Sequence, residues 1–149
     1  MHPRQYVYFA LRSYRMAAAE MAARLGIEPD ETSVRGSRHS DPPVPVCHVW
    51  RIVCRQPDLT VDEQLDHVVD RLFAEADRIG VLAAELDRTE PATGSAVLQV
   101  VRYFEGCGDD EAAETAAPQR NLLGWHVSAR ILDFLRRTRA ELDVDEYGC

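Results

Sequence analysis

Arg35, Gly36, Arg38 and His39 put two guanidinium groups, a glycine and an imidazole within five residues. Arginine forks grip phosphate or carboxylate, and glycine lets backbone N–H groups come close to an anion. The segment is an anion-site candidate, with a solvated loop as the plainer account. Glu63, His67 and Asp70 stand at helical spacing and would offer carboxylates and an imidazole to a metal. They lie opposite or beside an apolar stripe, however, where charged residues are the norm for an amphipathic helix. His48 beside Trp50 and His126 beside Trp125 fall in two separate strand-like runs. They could converge as base and acid or as ligands, or serve as hydrogen-bonded structural residues. Cys47 and Cys54 would need a depressed thiol pKa to act as nucleophiles, and no neighbouring motif argues for one. No HExxH, GxSxG, GxGxxG, CxxC or catalytic-cysteine signature occurs. Enzyme activity is therefore unsupported, and neither cofactor nor metal is expected.

All 17 basic residues are arginine. Without lysine there is no P-loop lysine to reach a phosphate and no Schiff-base chemistry. A net charge of −8 argues against a nucleic-acid binder, which needs a basic footprint. The opening MHPRQYVYF lacks the apolar core of a signal peptide, and no stretch reaches membrane-spanning length. A cytoplasmic protein with reduced cysteines is the expectation. A length of 149 residues predicts one domain with a real core.

Strands, helices and loops read from local pattern must position these side chains. Ser95–Glu105 alternates two largely apolar sets, Val97, Val101 and Tyr103 against Leu98, Val100 and Phe104. That pattern predicts a central strand covered on both sides. Tyr6–Arg12 alternates Val7, Phe9 and Leu11 with Tyr8, Ala10 and Arg12, and Val46–Arg55 places Trp50 and Ile52 on its core side. Met16–Leu25 predicts a short helix stopped by Gly26 and Pro29. Glu28–Pro45 reads as loop. Thr60 and Glu63 form a capping box for the strongest helix, whose stripe runs Val61, Leu65, Val68, Leu72, Ala76 and Ile79, with Gly80 a candidate break. Gly106–Gln119 reads as acidic loop and Leu122–Val127 as a short strand. Ser128 is positioned as N-cap of a helix with Ile131, Leu132, Phe134 and Leu135 inward. The arginines Arg130, Arg136, Arg137 and Arg139 on this helix suit its negative end. Leu142–Tyr147 reads as an edge strand with Leu142 and Val144 inward. The order predicts an α+β fold, a mixed or antiparallel sheet of about five strands with helices mainly on one face, ferredoxin-like with an inserted helix.

YVYFALRS, RLGIEPD, TSVRG and HVWRIVCR, in this order and spacing, together with Ser128, a helix and an acidic strand ending at Tyr147, resemble the bacterial family called domain of unknown function 4279. The likeness runs over nearly the whole chain. It implies a small, stand-alone bacterial α+β protein and brings no reaction and no catalytic residues.

The functional expectation is a protein-interaction module, with an acidic immunity-type partner of a basic toxin as one form of it. The alternative is a sensor domain that binds an anionic metabolite through Arg35 and Arg38. If Phe9, Trp50 and Trp125 face the helices, alternation turns Tyr8, Arg51 and His126 to the other sheet face. Such a face, apolar with a polar fringe, predicts an interface with a partner or a second copy.

Overall fold

Alternation along β1 (Arg4–Ser13) buries Val7, Phe9 and Leu11 beneath helices, as the sequence pattern requires. The structure, a computed structural model, describes residues 4–38, 44–90, 94–104 and 124–148. β1 lies at the centre of a five-stranded mixed sheet of order β2-β3-β1-β4-β5. It pairs antiparallel with β3 (His48–Cys54) on one side and β4 (Ala96–Tyr103) on the other. β2 (Glu31–Ser33) adds antiparallel to β3, and β5 (Glu141–Tyr147) adds parallel to β4. The chain is α+β with its helices on one face of the sheet.

Among the described residues four helices build that layer: α1 (Ala18–Leu25), α2 (Val61–Leu72), α3 (Ala76–Thr89) and α4 (Ala129–Thr138). The apolar stripe Val61, Leu65, Val68 and Leu72 is wholly buried and continues through Ala76 and Ile79. Thr60 and Glu63 close the capping box at the start of α2, and Ser128 caps α4 by accepting the Ile131 N–H. Trp50, Ile52 and Cys54 of β3 and Leu98 and Val100 of β4 complete the core, with Phe9 meeting Phe134 edge-on at 5.4 Å.

Several expectations are corrected. The helix break falls at a 3-10 turn over Phe73–Glu75, not at Gly80, which lies inside α3. Glycine is required there because a Cβ would sit 2.0 Å from the Arg137 carbonyl oxygen of α4. Glu31–Ser33 forms a strand within the segment read as loop; three residues are too few to show an alternation. Residues 124–128 are not a strand. The His126 N–H donates to the Asp62 carboxylate at 2.8 Å instead of to a ladder, while Trp125 and Val127 still pack on the core. Leu132 and Val144 are exposed and Leu135 only half-buried, since α4 and β5 lie at the margin of the layer. Residues 106–119, read as acidic loop, lie outside the described residues.

One ion pair ties the helix layer to the strands. Arg71 of α2 grips Asp30 at 2.6 and 2.9 Å, and the Val53 N–H donates to the same carboxylate at 2.7 Å. These contacts hold the Asp30 carboxyl below its ordinary range. Because the folded value is the lower one, the stabilisation is complete above the unfolded value, about 3.9. It is lost as pH falls through the folded value. Asp30→Asn should therefore cost up to about 1 kcal/mol at neutral pH, screened as a partly exposed pair is, and much less in strong acid. Urea titrations at pH 7 and pH 3 check this; an equal deficit at both would mean that the charge contributes nothing.

Candidate functional site

The strand alternation that supplies the core also builds a second sheet face, on which no described helix packs. Read across the strands, it runs in level rows: Arg51, Ala10, Val97, Glu141; then Val53, Tyr8, Gln99, Asp143; then Tyr6, Val101, Asp145; then Arg4, Tyr103, Tyr147. Ala10, Val49 and Val97 form a small apolar cluster with Tyr8 and Cys47 against it. Arginines lie over the phenol rings: Arg51 on Tyr8 at 4.1 Å, Arg55 on Tyr6 at 4.4 Å and Arg4 on Tyr103 at 4.4 Å. Tyr6 stacks with Tyr8 at 6.2 Å and Tyr103 with Tyr147 at 4.9 Å. Each arginine–ring contact is worth about 0.5–1 kcal/mol at such sites, so the layer is pre-organised and need not order on binding.

Its electrostatics are two-sided. On the β1–β3 side stand Arg4, Arg12, Arg51 and Arg55, answered there by Glu31, which takes Arg51 at 3.2 Å and Arg55 at 2.9 Å. On β5, Glu141, Asp143 and Asp145 share this face by alternation, and none forms an ion pair among the described residues. The Asp145 carboxylate, followed by burial and by Tyr103, Tyr8 and Asp143, raises the Tyr147 phenol above its ordinary value. Burial, then the Tyr103 phenol, raises Tyr6 against the lowering pull of Arg55. Both phenols are therefore protonated at neutral pH and can donate as well as accept hydrogen bonds.

At the middle of the face, between Tyr8 and Asp143, lies Gln99, only 4% exposed. Its Nε2 has no hydrogen-bond partner among the described residues. A buried donor left unpaired costs about 1–3 kcal/mol, and such groups are uncommon enough to require a reason.

The remaining candidates disperse. The Arg35 guanidinium donates to the Tyr14 carbonyl at 3.2 Å and lies 5.4 Å from that ring. Its backbone N–H donates to His48 Nδ1 at 3.2 Å. Gly36 has the positive φ of 73° that this turn needs. Arg38 is exposed. His39 lies outside the described residues. The sequence profile described as "Domain of unknown function (DUF4279)" matches residues 3–148.

The chain belongs to the DUF4279 family. Comparisons with curated proteins and with solved structures returned no match.

In this DUF4279 chain the expected trio is split. Tyr8 and Arg51 meet on the open face, but His126 sits by the N-terminus of α2, its Nδ1 3.1 Å from Asp62. His48 and His126 lie near opposite ends of β3 and do not converge. Glu63 is engaged in the capping box, Asp70 pairs with Arg130 at 2.6 Å, and His67 is exposed. Among the described residues no three His, Cys, Asp or Glu side chains could hold a metal together. Burial raises the half-buried Cys47 thiol, which disfavours the nucleophilic thiolate. Cys47 adjoins a cavity of about 110 Å³ shared with Arg12, Ser13 and Glu90. The Glu90 carboxylate there is taken up by Ser13 Oγ at 2.6 Å and the Tyr14 N–H. No helix among the described residues is long and apolar enough to cross a membrane.

The sequence reading missed Tyr6, Arg55 and Gln99 as members of the face. Alternation carried the signal for all three: Tyr6 stands two before Tyr8, Arg55 four after Arg51, and Gln99 between Val97 and Val101.

Proposed function

We propose that this DUF4279 protein is a protein-interaction domain whose working surface is the open face of its sheet. The observation that carries the reading is the layer of partly exposed tyrosines covered by arginines on the sheet face away from the helices. Tyrosine and arginine are the residue types enriched at binding hot spots, because they bring large contact area and strong hydrogen bonding on few rotatable bonds. The immunity-type version of the reading rests on the net charge of −8 alone, and four arginines on the face count against an acidic surface made for a basic toxin. The anion-sensor alternative is weaker, since the Arg35 guanidinium is already engaged with Tyr14. A bacterial, cytoplasmic setting goes with this proposal.

The test is a pull-down from the native host with the tagged wild-type chain and a Tyr8→Ala, Arg51→Ala double variant. Both residues are only partly buried, so the variant should keep its fold, which circular dichroism checks. The wild type should retain a protein, its own untagged copies included, and the variant should lose it by at least about tenfold, as removal of two hot-spot residues implies. Equal retention by a folded variant would remove the open face from the function.

A further inference from the structure

The open face is complementary to itself. Arg51 and Glu141 lie in one row, at opposite sides of the sheet. Arg55, held over Tyr6, is level with Asp145 in the same way. Four arginines stand against one carboxylate on the β1–β3 side, and on β5 stand three carboxylates with no ion pair among the described residues. The two excesses are equal and opposite. We propose, resting on the interaction-domain reading above, that the occupant of this face is a second copy of the same chain, related by a two-fold axis parallel to the strands and midway between β1 and β4.

That operation follows from the strand order. A two-fold along the strands turns the sheet over while keeping each row at its level, so β3 of one copy comes to lie over β5 of the other and β1 over β4. Arg51 then faces Glu141 of the second copy and Arg55 faces its Asp145. A two-fold across the strands would instead put like charges over one another, which is repulsive. Isologous closure of this kind makes a dimer and nothing larger. Two sheets pack about 10 Å apart, a spacing that side chains the size of tyrosine and arginine can fill from both sides.

Sedimentation equilibrium of the full chain, repeated at rising salt, tests this. The wild type should show twice the chain mass, with a dissociation constant that rises at least about tenfold between 50 mM and 500 mM salt as the charges are screened. Glu141→Arg, Asp145→Arg should be monomeric under the same conditions. Mixing that variant with Arg51→Glu, Arg55→Glu should restore the dimer mass, because the reversed charges again oppose. These positions are at least partly exposed, and the rescue guards against a variant that merely misfolds. A wild type that is monomeric at all concentrations overturns the dimer. If Tyr8→Ala, Arg51→Ala nevertheless abolishes capture of a different protein, the interaction-domain reading stands alone; if it does not, both fall. A dimer that survives charge reversal on β5 overturns the proposed axis.

Discussion

Truncation of Trp50 to alanine should lower the unfolding free energy by about 3–5 kcal/mol, the range for a large aromatic removed from a packed core. Trp50 is fully buried on β3, in the same cluster as Leu11, Met21 and Leu25. Its indole N–H donates to the Ile27 carbonyl at 3.2 Å, so the variant loses both the ring's packing and the partner of a carbonyl that fixes the α1–β2 connection. Trp50→Phe keeps most of the volume but not the donor, and should recover all but about 1–2 kcal/mol. Denaturant unfolding monitored by circular dichroism measures both variants. An unchanged midpoint for Trp50→Ala would mean that the two faces of β3 are assigned the wrong way round. The variant would then disturb the partner face, not the core.

Gly80→Ala carries the second large expectation, and its sign is the informative part. Inside an exposed helix, glycine to alanine is stabilising by about 1 kcal/mol, because alanine has less backbone freedom to lose. In α3 the added Cβ would lie 2.0 Å from the Arg137 carbonyl oxygen and 3.2 Å from its carbon, contacts that only movement of the α4 backbone can relieve. Forced overpacking of this kind costs about 1–3 kcal/mol or more. At the upper end of that range it outweighs the propensity gain, and a net loss of up to about 2 kcal/mol is expected. Thermal and denaturant midpoints should both fall. Stabilisation would instead mean that α3 and α4 do not pack at the distance described.

A period of two along Tyr6–Arg12 and Val46–Arg55, and a period near 3.6 along Val61–Ile79, were enough to name Phe9, Trp50, Ile52, Leu65 and Leu72 as core. They also placed Tyr8 and Arg51 on the opposite face. The reason is that burial is the strongest force on these segments, and it acts on a face whose members can be counted from local spacing. Absence of lysine likewise excluded P-loop and Schiff-base lysine chemistry without any coordinates.

Position across the sheet was beyond reach of local spacing. β4 carries apolar residues on both faces, so its alternation was ambiguous, and the pairings of Leu98 with Phe9 and Gln99 with Tyr8 settled it. His126 was assigned by alternation in a strand, but residues 124–128 form none, and the Asp62 carboxylate takes its backbone N–H. Gly80 looked like a helix breaker because a close approach by a carbonyl from residue 137 leaves no trace within its own neighbourhood. The standing of Arg55 level with Asp145 depends on β1 and β4 lying between two strands that are far apart in the chain. Such juxtapositions arise from pairing between distant segments, whose partners are chosen by the closing of the whole core and not by the residues that end up opposed.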